Sequence, residues 1–233
     1  LYERLRLPPG RLELMTGIQQ RRFWSPGTLP SEKSIESAER AIAVADVDRS
    51  LIGALVHGSV CRDHLEPATA SRVHHELGLP AECLIYDVSN ACLGLLNGML
   101  QVANMIELGQ IRAGLVVGTE GSRQLVETTI DTLNRDKTLS RKTIKSAVAS
   151  LTIGSGSCAI LLCDRELSQT NNRLLAGSAR ANTQFHQLCH SGEDEAVATG
   201  MAPLMQTDSE RLMAEGIATG AANFETLLDE AEW

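Results

Sequence analysis

CLIYDVSNACLGLLNGMLQVANMIELG, residues 83–109, decides the fold. Its opening, CLIYDV (83–88), is a short apolar run of the kind a buried strand carries. From Asn90 the chain changes character: residues 90–109 are largely apolar, and the pattern stops at Gly109, which predicts a long helix ending there. A helix that is apolar nearly all round belongs inside a protein rather than on it. Between strand and helix stands Cys92, with the small neighbours Ala91 and Gly94.

The flanking sequence repeats the alternation. SEKSIESAERAIAVA (31–45) places apolar residues at 35, 38, 41, 42 and 45, a helical stripe with Ser31, or alternatively Ser34, as N-cap. LIGALVHG (51–58) reads as a buried strand. PATASRVHHELG (67–78) reads as a helix with Pro67 in its first turn and Gly78 at its end. AGLVVGTE (113–120) and GSCAILLCD (156–164) are two further strands, and RLLAGSARA (173–181) a candidate fifth. Strands alternating with helices predict an α/β fold with a mostly parallel sheet covered on both faces. Residues 131–150, polar and rich in basic side chains, read as a surface excursion, and 209–233 as a closing helix.

Composition narrows the function. With 233 residues, 43% of them hydrophobic, the chain can bury a sizeable core. A net charge of −8 with scattered basic residues excludes nucleic acid and anionic membrane surfaces as natural partners. No apolar run approaches the ~20 residues needed to span a bilayer, so no transmembrane segment is expected. The N-terminus shows no signal-peptide pattern and no initiator Met, so the chain reads as a fragment or a processed product. The six cysteines (61, 83, 92, 158, 163 and 189) form no CxxC pair. Reduced thiols, a cytoplasmic location and no metal site follow.

From the residues alone, Cys92 has two readings. Cysteine is among the most buried residue types and packs as a small hydrophobe. Yet a cysteine at a helix start meets unpaired N–H groups and the positive dipole end, which favour the thiolate. Its own backbone N–H then suits an oxyanion formed on an attacked carbonyl.

The segment DVSNACLG, with the strand before it and the apolar helix after it, resembles the active-site segment of thiolase-fold condensing enzymes, most closely the ketoacyl synthase III group. MTGIQQRRF (15–23), ALVVGTEG (114–121) and LTIGSGSCAILL (151–162) resemble three further segments of that family, in the family's order. The resemblance spans roughly residues 11–165. It implies a layered α-β-α-β-α fold of two duplicated halves: a first half over 1–165, and over 166–233 the beginning of a second that is incomplete. It also makes Cys92 the nucleophile and its N–H an oxyanion donor.

HLEPATA (64–70) sharpens the resemblance. Initiating synthases usually carry a phenylalanine before this proline, whereas here it is Glu66. A glutamate there, with NACLG and NGM (97–99), is similar to the olefin-pathway thiolases, which join two long-chain fatty acyl-CoA molecules without decarboxylation. Such a reaction requires loss of an α-proton, and a desolvated carboxylate suits that task. The bland alternative is an acid complementing the dipole of the following helix. The resemblance implies a homodimer with Glu66 near the partner's active site, coenzyme A thioesters as substrates and no permanently bound cofactor. An initiating ketoacyl synthase III and a non-catalytic thiolase-fold fragment are the competing readings.

Several features fit the pattern less well. Arg11 and Met15 stand where initiating synthases carry a Trp and an Arg for the coenzyme A adenine, so no nucleotide-binding residues are assigned. The family's catalytic His and Asn are not visible, and the resemblance implies that they lie beyond Trp233. His186 and His190 read as loop histidines, and His74 and His75 as packed or solvent-side residues. GSGS (154–157) lacks the lysine of a phosphate-binding loop and reads as a tight turn.

Overall fold

The structure, a computed structural model, describes residues 2–5, 8–136, 138, 143–192 and 204–233. Its helices are α1 (Tyr2–Leu5), α2 (Arg11–Thr16), α3 (Pro30–Ala45), α4 (Thr69–Leu77), α5 (Gly94–Glu107), α6 (Arg123–Arg135) and α7 (Ser209–Glu230). Its strands are β1 (Ile52–His57), β2 (Leu84–Asp87), β3 (Ala113–Glu120), β4 (Gly156–Cys163), β5 (Cys189–Ser191) and β6 (Met205–Thr207). They fall into two compact units. One comprises Trp24–Gly121 and Ser155–Leu174; the other comprises Leu1–Phe23, Ser122–Gly154 and Leu175–Trp233.

The first unit is built on a four-stranded sheet of order β2-β1-β3-β4. β1 runs parallel to β2, with Ala54 opposite Leu84 and His57 opposite Asp87, and parallel to β3. β4 closes the sheet antiparallel to β3. Alternate residues of the central strands feed opposite faces. Leu55, Leu115 and Val117 pack with Ala38 and Ile42 of α3 and Val73 and Leu77 of α4. Ala54, Val56 and Val116 pack with Val102 of α5. Helices on both faces explain why these strands read as unbroken apolar runs. The mostly parallel, doubly covered sheet is therefore as the sequence implied.

Helix boundaries differ where capping is not local. α3 begins at Pro30, so Ser31 lies inside its first turn instead of capping it, and Ser34 is buried further along. The Ser31 N–H is instead satisfied by Asp63 Oδ1 at 2.9 Å, far away in sequence. α4 starts at Thr69, after an Ala68 N-cap without a side-chain bond, so Pro67 lies outside the helix. α5 is not buried all round: Gly94, Gly98 and Val102 face the sheet, while Leu93 just before the helix and Leu96 are 53% and 47% exposed. The small residues let the helix lie close on the strands; Leu95, Met105 and Ile106 pack partly buried against the same cluster, while Leu96 is left outward.

The second unit corrects two expectations. Residues 131–150 are no mere surface excursion. α6 buries Val126, Thr129 and Leu133, and Ile144 and Leu151 join the same cluster with Leu12, Phe23 and Ile130. The polar composition hid a helix with a single narrow apolar face; residues 137 and 139–142 lie outside the described residues. Residues 173–181 form no strand: they are almost wholly exposed and, among the described residues, make no ladder with another strand, Ser178 bonding Asn223 of α7 instead. The short β5–β6 hairpin follows instead. α7 forms as the sequence implied. Among the described residues no helix is long and apolar enough to cross a membrane.

Candidate active site

The carboxyl ends of β1, β2 and β3 form one edge of the parallel part of the sheet, where open α/β sheets hold their ligands. β1 continues from Gly58 into the loop that carries Glu66. β2 continues from Asp87 into the turn that carries Cys92, and β3 ends on Glu120.

Cys92 occupies the middle of a single 3₁₀ turn, Ala91–Leu93, that leads into α5. Ala91 has φ 44°, in the left-handed region that non-glycine residues rarely adopt. Such conformations cost of order 1–3 kcal/mol and persist only where the surroundings hold them. Those surroundings are visible. The Val88 N–H donates to His57 O at 2.8 Å, and the Leu93 N–H donates to Asn90 O at 2.9 Å. The Asn90 side-chain amide donates to Asn97 Oδ1 at 2.6 Å, bracketing the turn. Below it, Gly94 rests on Gly58: a Cβ added at Gly58 would lie 2.6 Å from the Gly94 carbonyl carbon. Gly94 thus serves the close approach of helix to strand, rather than leaving the thiol's outer face open. The thiol side chain itself is exposed.

Glu66 stands on an arch whose two feet are pinned. At one foot, the Val60 and Cys61 N–H groups donate to the Glu120 carboxylate at 2.8 and 3.2 Å. At the other, the Asp63 N–H donates to Thr69 Oγ1 at 3.2 Å, and the Thr69 and Ala70 N–H groups donate to Asp87 at 2.8 and 3.0 Å. Arg72 lies 3.7 Å from Asp63. Between these anchors residues 64–67 are all exposed, Glu66 among them. Among the described residues its carboxylate has no hydrogen-bond or ion-pair partner, so it lies at the surface of this chain and not in an apolar channel within it.

The other cysteines of the strand ends are unsuited to attack. Burial pushes the Cys61 thiol up to about 11, and Cys83 likewise to about 11. Both stay protonated near neutrality, and a thiol is a poor nucleophile. Beneath the site, a hydroxyl chain joins the layers. The Thr119 N–H donates to Ser59 Oγ at 2.7 Å, while Thr119 Oγ1 lies 2.8 Å from Ser34 Oγ and 2.6 Å from Ser157 Oγ. Ser157 belongs to the GSGS segment; its Gly156 and Ser157 are already the first residues of β4, so the segment runs into the strand instead of forming the tight turn read from the sequence.

Sequence reading missed His57. It is fully buried, neither ring nitrogen has a hydrogen bond among the described residues, and Nδ1 lies 3.9 Å from Asp87 Oδ1. Burial lowers its pKa against the opposing pull of Asp87, so the ring is neutral. The only signal for it was a histidine within the apolar run LIGALVHG. His186 and His190 are exposed, with His186 Nδ1 paired to Thr183 O at 3.1 Å. His74 is half-buried against Pro80 O, and His75 is exposed. Among the described residues no cluster of His, Cys, Asp and Glu could hold a metal.

Comparison with known proteins places this geometry. The family model for the thiolase N-terminal domain matches residues 28–152. The chain is 42% identical, over its whole length and 67% of the relative's, to an acyl-CoA:acyl-CoA alkyltransferase of Shewanella oneidensis. It is 33% identical to a Xanthomonas campestris protein of that name, over 96% of the chain and 63% of the relative. A β-ketoacyl-[acyl-carrier-protein] synthase III of Koribacter versatilis matches 49% of the chain at 32% identity, over 34% of that relative. A crystal structure of a Xanthomonas campestris OleA variant with bound lauric acid and lauroyl-CoA superposes with a TM-score of 0.87 at 31% identity, covering all of this chain and 66% of that one. The chain spans about two thirds of the length of these alkyltransferase and OleA relatives. The fold is the thiolase fold, and on a family match across more than half its residues the chain belongs to the thiolase family.

Proposed function

We propose that the protein is an acyltransferase that condenses two long-chain fatty acyl-CoA molecules to a β-keto product. The observation that carries the reading is the pair of exposed groups at one edge of the sheet, Cys92 on its braced turn and Glu66 on its pinned arch. The similarity to two acyl-CoA:acyl-CoA alkyltransferases supports the substrate class.

Cys92 Sγ attacks the carbonyl of the first acyl-CoA, and the backbone N–H of Cys92 donates to the oxyanion. Coenzyme A leaves as its thiol, and the acyl group remains as a thioester on Cys92. Glu66 then removes an α-proton from the second acyl-CoA. The carbanion attacks the thioester carbonyl, the C–S bond to Cys92 breaks, and the thiolate returns. The product is a β-ketoacyl-CoA branched at its α-carbon. Glu66 acts across a homodimer interface, in keeping with its exposure in the single chain. The enzyme works in the cytoplasm with no permanently bound cofactor. The chain divides into a first thiolase half over 1–165 and the start of a second from 166, a division supported by completion of the four-stranded sheet at Cys163.

The reading is tested on the full-length protein by intact mass after mixing with a long-chain acyl-CoA. The wild type gains one acyl group, and Cys92→Ala gains none; persistent acylation of Cys92→Ala removes the nucleophile assignment. Glu66→Gln acylates but yields no β-keto product, with condensation reduced ~100-fold or more. Normal condensation by that variant removes the base assignment. A ketoacyl synthase III activity is the second reading, favoured by relatives of that name that match about half of the chain. It predicts condensation only with a malonyl donor and release of CO2.

A further inference from the structure

Cys92 brings two groups to one carbonyl: Sγ, which attacks, and its own N–H, which donates to the oxyanion. Their directions are set separately. Sγ turns with the Cys92 side chain, whereas the N–H lies in the planar peptide that joins Ala91 to Cys92, so the backbone angles of Ala91 aim it. Ala91 has φ 44°, a conformation that an alanine leaves unless it is held. The chain is fixed before it by the Val88 N–H on His57 O, and after it by the seat of Gly94 on Gly58. Between those points Asn90 carries the restraints. Its carbonyl accepts from the Leu93 N–H at 2.9 Å, across Ala91 and Cys92. Its side-chain amide donates at 2.6 Å to Oδ1 of Asn97, in the first turn of α5. Ser89 and Cys92, the other polar side chains of the turn, have no hydrogen bond among the described residues.

We propose that Asn90 and Asn97 are positioning residues for acylation: by tying the residue before Ala91 to α5, their side chains hold Ala91 left-handed and keep the Cys92 N–H aimed at the carbonyl that Sγ attacks. The inference rests on the reading of Cys92 as nucleophile and oxyanion donor. Clamp, turn and thiol all belong to one chain, so the effect needs nothing from a partner subunit. The clamp is also not what holds the helix. α5 is fastened to the sheet through Gly94, Gly98 and Val102, all buried. The amide bond lies outside that contact, between exposed Asn90 and half-buried Asn97. Its loss therefore lets Ala91 relax and swings the Cys92 N–H, without releasing α5 or burying a thiol that is already exposed. The two functions of Cys92 then part company, because attack needs only the thiol whereas stabilising the oxyanion needs the aimed N–H.

The test uses the full-length protein and compares two reactions of one thiol. Single-turnover acylation by a long-chain acyl-CoA passes through an oxyanion. Alkylation by iodoacetamide, followed at the Cys92 peptide by mass, is a displacement at saturated carbon and forms none. Asn97→Ala is expected to slow acylation ~10- to 100-fold and to leave alkylation within ~3-fold of wild type. Asn90→Ala gives the same split and replaces Asn97→Ala if that variant does not fold. The double variant loses no more than ~3-fold beyond either single one, since both remove the same bond. Ala91→Gly supplies a second arm. Glycine takes a positive φ without steric cost, so Ala91→Gly added to Asn97→Ala recovers at least ~5-fold of the lost acylation. Unchanged acylation, equal loss of both reactions, additive losses in the double variant, no recovery with Ala91→Gly, or failure of both asparagine variants to fold overturns the assignment. Cys92→Ala is run beside them. If it is not acylated while Asn97→Ala acylates like the wild type, only the positioning role falls; if it is still acylated, the nucleophile reading falls, and the positioning role with it.

Discussion

His57 and Asp87 face each other across β1 and β2, and they show how a single buried side chain enters the stability of the site. Burial depresses the folded-state pKa of His57 below its ordinary 6.5. The unfolded chain therefore takes up a proton at a pH where the folded chain does not. Stability from this residue is complete above the unfolded value and is lost as pH falls from about 6.5 toward the folded value, at up to ~1.4 kcal/mol per pH unit. Urea midpoints measured from about pH 7 down to pH 5 should show this slope, and His57→Gln should flatten it. Because both ring nitrogens lack hydrogen bonds, His57→Leu at pH 7 should be neutral or stabilising by ~1 kcal/mol. At this scale the sequence was legible where chemistry is local. Cys92 stands out because its small neighbours and the following helix adjoin it. Asp63, Asp87 and Glu120 did not stand out, since each bonds backbone N–H groups that folding alone brings near: Glu120 reaches Val60 and Cys61 across about sixty positions.

At the scale of elements, the turn that carries Cys92 is set by how closely α5 lies on β1. A methyl at Gly58 would meet the backbone of Gly94 and Leu95, at 2.6 and 2.8 Å, atoms that cannot rotate away. A methyl at Gly98 would meet Val116 Cγ1 at 2.7 Å and Val56 Cγ1 at 3.0 Å, side-chain atoms with some freedom. Gly58→Ala should therefore cost ~2–3 kcal/mol and slow acylation of Cys92, whereas Gly98→Ala should cost ~1 kcal/mol. Thermal unfolding and acylation rates measured on both variants check the order. The strands were readable as unbroken apolar runs because helices cover both faces of the sheet, and the long helices because packing on one side imposes a period of 3.6 on their side chains. Helix starts were not, since α3 and α4 are capped by Asp63 and Asp87 from elsewhere and by no neighbour. α6 escaped because its buried residues, Val126, Thr129 and Leu133, are few and include a threonine.

For the whole molecule, the order of strands and helices around Cys92 was enough to imply a doubly covered, mostly parallel sheet and the thiolase resemblance. Segments after β4 were less legible: residues 173–181 are apolar enough for a strand yet have no partner strand among the described residues. The central claim is that two acyl-CoA molecules are joined through Cys92 without a malonyl donor. It is tested most directly by supplying the full-length protein with a long-chain acyl-CoA as sole substrate. Product and free coenzyme A are then quantified. The account predicts a branched β-ketoacyl-CoA, one coenzyme A released for each product formed, no CO2, and no product from Cys92→Ala. Product that appears only when a malonyl thioester is added, with CO2 released in equal amount, would contradict it.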